Sequence, residues 1–246
     1  MDTNKNVLVT GFCRGIGKAI SEKFISEGFT IYGIHSTKAG LCQLTDETDQ
    51  LKIIKADLSS KSETRKAIQQ LSNIRFDAIV NNAGIINFEK FDELSLDSWY
   101  ETLQVNLNAI LEICIGLKDC VNKNGSIINI ASTDGLEGTF ASMSYSVSKS
   151  GVINLTKSLG NNLGPKGIRV NSISPGWVDT DMTTGVTSES AKLTPLGRNA
   201  TTSEIADLVY FLTTEKSSFI NGANIIIDGG YTNVDYLYKK EAEELT

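Results

Sequence analysis

Seven short runs rich in β-branched residues punctuate the chain: NVLVT from residue 6, TIYGIH from 30, LKIIK from 51, DAIVNNAG from 77, SIINIAS from 126, IRVNSISPG from 168 and ANIIIDGG from 223. Most of the intervening stretches are long enough for a helix, and that alternation predicts parallel strands joined by helical crossovers. Several runs are apolar at nearly every position, the pattern of strands buried on both faces by flanking helices. The expected fold class is therefore α/β, a doubly wound parallel sheet of about seven strands with helices on both faces. Residues 36–49, STKAGLCQLTDETD, are too few and too polar for a full helix, so a shortened helix or a loop is expected there. Without internal repeats or a Pro/Ser-rich linker, and with only three prolines, the 246 residues read as a single domain. Its core runs from about residue 6 to 230, and the tail, 231–246, is expected to form a charged terminal helix or to fray.

Charge and leader content exclude several classes of function. A net charge of −6 without basic runs argues against a nucleic-acid partner, because phosphate binding needs a concentrated basic surface. The stretch AILEICIGL is interrupted by Glu112 and too short for a bilayer, and the start, MDTNKNVLVTG, lacks a secretory pattern; the expectation is a cytoplasmic protein with no membrane partner. Cys13, Cys42, Cys114 and Cys120 have no CxxC spacing and no local histidine cluster, so no metal site or disulfide framework is indicated, and they read mostly as buried thiols.

The first strand runs into TGFCRGIGKAISEKF, with Gly11, Gly15 and Gly17 at a strand-to-helix junction. Glycine permits positive φ and close backbone approach, and the following helix, from Ile16 onward, presents unpaired N–H groups and a positive dipole end to a diphosphate. This makes the sheet Rossmann-type and the turn a dinucleotide site. An NAD site usually carries an acid at the end of the second strand for the ribose 2′-hydroxyl. Here that strand ends GIHST, with no acid between Glu27 and Asp46, while Arg14 lies in the glycine turn and Lys38 follows the strand. Positive charge there suits a 2′-phosphate, so NADP(H) is the preferred cofactor and NAD(H) the alternative. His35, the only histidine, reads as a packing or adenosine-edge residue rather than a catalyst.

With the glycine turn followed by NNAG at 81–84, Ser132, and YSVSK at 145–149, the chain resembles the short-chain dehydrogenase/reductase family from about Asn6 to Gly230. Within it, the likeness is greatest to 3-oxoacyl-(acyl-carrier-protein) reductases and their sugar-, polyol- and steroid-directed relatives. The resemblance implies that Asp57 meets the adenine, that Leu58 belongs to the cofactor site, that Asn82, Ala83 and Gly84 line the adenosine side, and that Pro175, Gly176, Val178 and Thr180 surround the nicotinamide and its phosphates. It implies a catalytic set of Asn106, Ser132, Tyr145 and Lys149, with Asn106 holding a water in the proton path. Lys149 would also bind the nicotinamide ribose. The match of GANIIIDGG to a last strand that joins subunits in many relatives implies a homotetramer or a homodimer. Lys123 and Lys166 match positions where acyl-carrier reductases dock their carrier through arginines.

Carbonyl reduction needs a proton at the developing alkoxide. A free tyrosine, with a pKa of about 10, is a poor base for the reverse step. Tyr145 and Lys149 stand one helical turn apart, and an ammonium there is expected to favour the phenolate. Ser132, closing a buried strand, is placed to donate to the substrate oxygen, an effect worth roughly 3 kcal/mol by analogy with oxyanion holes. A serine-hydrolase reading fails for want of a suitable histidine and a G-x-S-x-G elbow. Three functions follow: an NADP(H)-dependent reductase of a small or carrier-linked 3-oxo compound, a dehydrogenase of a sugar or other secondary alcohol, or a non-catalytic cofactor-binding sensor or scaffold. Substrate choice is expected to lie in residues 134–143 and 181–198, whose Gly, Ser and Thr content suits a mobile lid.

Overall fold

All seven apolar runs form strands of one parallel sheet in the computed structural model, which describes residues 5–36, 42, 47–183, 185 and 187–245. The strands are β1 (Asn6–Thr10), β2 (Thr30–His35), β3 (Leu51–Lys55), β4 (Phe76–Asn81), β5 (Val121–Ile130), β6 (Arg169–Pro175) and β7 (Asn224–Ile227). Their order across the sheet is β3-β2-β1-β4-β5-β6-β7. The helices are α1 (Gly15–Ser26), α2 (Lys61–Leu71), α3 (Leu96–Leu103), α4 (Ala109–Leu117), α5 (Met143–Leu163), α6 (Thr187–Leu193), α7 (Thr202–Thr213) and α8 (Tyr236–Glu244). None of the described helices is long and apolar enough to cross a membrane. Between α3 and α4 the chain does not leave the helix but widens through one π turn, Gln104–Asn108.

Strand periodicity divides the core in two. Leu8, Ile79, Ile127 and Val170 point to one face, against Ala67 and Leu71 of α2, Ile113 and Leu117 of α4, and Val152 and Leu159 of α5. Their neighbours Val7, Val9, Val80, Ile128 and Ile173 point to the other, against Ile20 and Phe24 of α1 and Ala206, Val209 and Leu212 of α7. Each of these two layers spans several strands, so neither face can be left to solvent without exposing a continuous apolar surface.

One buried polar chain fixes α5 on the sheet. Asn81 donates to Asn129 Oδ1 across the β4–β5 register (2.8 Å), and Asn129 donates to Thr156 Oγ1 (2.9 Å). Thr156 in turn donates to the Val152 carbonyl (2.8 Å). Buried hydrogen bonds of this kind set one rotation of the helix, and with it the direction of Tyr145 and Lys149. Among residues 36–49, those described show no helix, and the remainder lie outside the described residues. The tail forms α8, capped by the Asp235 carboxylate, and it reaches back to α6: Tyr236 donates to the Leu193 carbonyl and Lys239 to that of Lys192, both at 3.1 Å.

Candidate active site

Strand order reverses between β1 and β4, and the carboxyl ends of the strands open there into a cavity of 460 Å³. Gly11, Arg14, Gly15, Ile16, Gly17, Asp57, Leu58, Asn82, Ala83, Gly84, Ser132, Tyr145, Lys149, Pro175, Gly176, Val178 and Thr180 all line it. Lys38 lies outside the described residues. Asn106 is fully buried and stands behind Gly84, the position of a glycine Cβ there falling 3.4 Å from its Oδ1 and 3.5 Å from Lys149 Nζ.

The glycine turn fits a dinucleotide diphosphate. Gly11 and Gly15 have φ of +65° and +50°, a region that favours glycine. Arg14, the N-cap of α1, has no side-chain acceptor to give the first turn, so the N–H groups of Gly15, Ile16 and Gly17 retain their capacity for an anion. Asn82 pins the turn from the end of β4, donating to the Thr10 and Gly11 carbonyls at 3.0 and 3.1 Å, while Thr10 Oγ1 accepts from the Asn82 and Ala83 N–H groups. Asp57 spends its carboxylate locally, accepting from the Ser59 N–H (3.0 Å) and hydroxyl (2.8 Å).

A Cβ at Gly17 would meet the Gly11 carbonyl oxygen at 2.0 Å and Asn82 Nδ2 at 2.5 Å. Gly17→Ala is therefore expected to force the two sides of the cradle apart, weakening dinucleotide binding at least about 100-fold through lost backbone hydrogen bonds. Quenching titrations of tryptophan fluorescence would measure this, and unchanged affinity would show that another element holds the cofactor.

Opposite the turn, α5 presents the Tyr145–Lys149 pair. Lys149 is almost fully buried and donates to the Ile130 carbonyl at 2.7 Å, its ammonium 5.5 Å from the centroid of the Tyr145 ring. The Ser132 hydroxyl interacts with the Tyr145 phenol and accepts from the Asp134 N–H at 3.1 Å. Burial pushes the phenol up to about 12, the interaction with Ser132 offsets part of that, and the Asp134 carboxylate adds to the rise. Burial pushes Lys149 down to about 8. The sequence-based expectation of a phenol brought down by its lysine is corrected here: exclusion of water from the phenolate outweighs a cation that faces the ring and bonds a carbonyl.

Asn106 accepts from the Ile85 N–H (2.8 Å) and donates to the Ile85 carbonyl (2.9 Å) and to Ser148 Oγ (3.1 Å). Ser148 donates to the Tyr145 carbonyl at 2.6 Å. The π turn thus couples the loop after β4 to the backbone of α5. Wide turns of this kind inside α-helices recur at functional sites. Ser148 escaped the sequence reading because small polar residues on α5 look like an exposed face. The cavity walls also include Met182, from the expected substrate segment, and Phe88, Glu101, Val105, Trp177 and Tyr231, which the sequence reading did not single out. Tyr231, at the head of the expected tail, packs edge-on against Trp177 with ring centroids 6.3 Å apart.

The cysteine expectation also needs correction. Cys114 and Cys120 are buried, but Cys13 and Cys42 are half-buried in the cavity wall beside His35. Burial, followed by the interaction with Cys42, pushes the Cys13 thiol up to about 12.

Comparison with known proteins places this geometry. The family described as Enoyl-(Acyl carrier protein) reductase matches residues 11–232. The 3-oxoacyl-(acyl-carrier-protein) reductase FabG of Aquifex aeolicus is 36% identical over 237 residues, covering 91% of this chain and 95% of its own. A 3-alpha-(or 20-beta)-hydroxysteroid dehydrogenase of Mycobacterium bovis is 35% identical, covering 92% and 88%. The crystal structure of a short chain dehydrogenase family protein from Francisella tularensis superimposes with a TM-score of 0.86 at 32% identity, over 94% of this chain and 100% of that one. The chain belongs to the short-chain dehydrogenase/reductase family, oxidoreductases that act on CH–OH and C=O groups with a nicotinamide cofactor.

Proposed function

We propose that the chain is an NADP(H)-dependent reductase of 3-oxo compounds, small or carrier-linked, acting as one catalytic and dinucleotide-binding unit in the cytoplasm. The observation that carries this reading is the Ser132–Tyr145 hydroxyl pair, backed by Lys149, in the same cavity as the glycine turn. The N–H groups of Gly15, Ile16 and Gly17 hold the diphosphate, Arg14 the 2′-phosphate, Asp57 the adenine, and Lys149 the nicotinamide ribose. The bound nicotinamide supplies the hydride. Ser132 donates to the substrate oxygen and orients it. Tyr145, protonated throughout the neutral range, gives its proton to that oxygen as charge develops. Asn106 and Ser148 hold these groups in register from behind.

Phe88, Val105, Trp177, Met182 and Tyr231 give the cavity apolar walls, which suit an alkyl-bearing substrate better than a polyol. The 3-oxoacyl reductase and hydroxysteroid dehydrogenase activities of the relatives point the same way. A sugar or other secondary-alcohol dehydrogenase is the second reading. A non-catalytic sensor has no use for the Ser132–Tyr145–Lys149 set.

For carrier docking the support is thinner. Lys166 is paired with Asp119 at 2.9 Å, and Asp119, held by Lys118 as well, is drawn down to about 2. Assembly as a homotetramer or homodimer is supported by β7, an edge strand on which Ile226 is exposed.

The test is a panel of carbonyls and alcohols followed at the nicotinamide absorbance, run with each cofactor. Acetoacetyl thioesters on coenzyme A and on carrier protein are expected to turn over with NADPH well above NADH. Arg14→Ala is expected to cost NADPH about tenfold or more and NADH little. Turnover confined to sugars would overturn the substrate, and equal use of both cofactors in the unaltered protein would overturn the Arg14 assignment.

A further inference from the structure

We propose that Cys13, His35 and Cys42 form a binding site for a thiophilic d¹⁰ cation, of which Zn²⁺ is the test case, at the edge of the cavity beside Arg14. The three residues come from the glycine turn, the end of β2 and the segment beyond it, and their Sγ and ring-nitrogen atoms all lie within 4.8 Å of one another. The histidine is already oriented as a ligand. Its Nδ1 lies 3.0 Å from the Ser36 carbonyl oxygen, a geometry that requires the proton on Nδ1 and leaves the lone pair on Nε2. Nε2 is buried and has no hydrogen-bond partner. Phe12, edge-on to the imidazole at 5.9 Å, holds the ring plane.

A buried acceptor without a partner is costly unless something binds it. A proton-bearing Nδ1 fixed on a carbonyl is the arrangement found around histidines that bind zinc through Nε2, and a ring nitrogen of His35 lies within 4.8 Å of both sulfurs. The two sulfurs lie within 4.8 Å of each other, so they are already together. Zn–S and Zn–N bonds of about 2.3 and 2.0 Å put tetrahedral ligand atoms about 3.5–3.8 Å apart, within about 1 Å of movement from the separations here. Binding displaces one proton from each thiol, and the two thiolates neutralise the dication. Sulfur and imidazole ligands favour Zn²⁺ over Mg²⁺ or Ca²⁺. Three protein ligands leave a fourth position for water.

Cys13, His35 and Cys42 line the same cavity as Arg14. A metal there occupies the end assigned to the 2′-phosphate, so metal and NADP(H) exclude one another. This second statement rests on the cofactor reading, whereas the metal site does not.

The experiment is a Co²⁺ titration of the full-length, reduced, metal-free protein, followed by displacement with Zn²⁺. One equivalent of Co²⁺ is expected to give a thiolate-to-metal charge-transfer band with strong tetrahedral d–d bands, both lost on adding Zn²⁺. Cys42→Ser and His35→Gln are expected to weaken Zn²⁺ binding at least about tenfold, with metal-free melting curves confirming that each variant folds. Absence of a thiolate band, or variants that bind as tightly as the parent, would overturn the site. Titration of NADPH with and without Zn²⁺ tests the consequence separately. Cobalt bands with unaltered NADPH affinity would uphold the site and overturn its overlap with the cofactor.

Discussion

Replacing Tyr145 with phenylalanine is expected to lower carbonyl reduction by about three orders of magnitude or more, while NADPH affinity stays within a few fold. The substitution removes one hydroxyl and keeps the ring. The cradle of Gly11, Gly15 and Gly17 is untouched, and so is the Lys149 bond to the Ile130 carbonyl. What disappears is the proton donor and its interaction with Ser132. Because the phenol is held up to about 12, its protonation does not limit reduction at any ordinary pH. Steady-state rates alongside quenching titrations would decide the matter: near-normal turnover in Tyr145→Phe would remove Tyr145 from the role of acid, and a matching loss of cofactor affinity would recast it as a binding residue.

Lys149→Met carries the second large effect, and its two consequences run in opposite directions. Turnover is expected to fall at least about 100-fold, since the cation that faces the Tyr145 ring and the proposed ribose contact are both lost. Stability at pH 7 is expected to rise. Burial lowers the Lys149 pKa from 10.5 to about 8, so below pH 8 both folded and unfolded states carry the proton and the full cost of a buried ammonium is present. Between about 8 and 10.5 the unfolded chain binds a proton that the folded chain has released, and stability therefore increases with pH. The buried charge costs about 3 kcal/mol, and its hydrogen bond to Ile130 returns about 1. Thermal melts across pH 7–10.5 are expected to show the variant several degrees higher at pH 7, with the gap narrowing as pH rises. A gap independent of pH, or of the opposite sign at pH 7, would show that the ammonium is better solvated than its burial indicates.

What the sequence revealed and what it concealed divide along physical lines. The strands were legible because a sheet buried on both faces admits little but aliphatic residues, as in Val7–Val9 and Ala78–Val80. The glycine turn was legible because close backbone approach excludes any side chain at Gly17. Tyr145 and Lys149 were legible because helical spacing fixes their neighbourhood in one dimension. The π turn was not, because the pairing that goes with it, Asn106 with Ile85, reaches 21 residues along the chain. The direction of the Tyr145 shift was hidden too: spacing shows a nearby cation but not the exclusion of water that opposes it. Trp177 and Tyr231 meet over the cavity from segments with no shared pattern. Likewise Cys13 and His35 stand 22 positions apart in sequence, beyond the reach of any ligand-spacing rule, until β1 and β2 pair.

The strand order has a consequence for how the protein emerges during synthesis. Once β1 exists, β2 and then β3 add outward on one flank, after which β4, β5, β6 and β7 add in turn on the other. No later strand has to wedge between two that are already paired. A nascent chain can therefore grow its sheet from the middle while the ribosome is still translating, each new strand finding an open border waiting. Only when the stretch carrying Trp177 and Tyr231 has been released are these walls of the cavity in place.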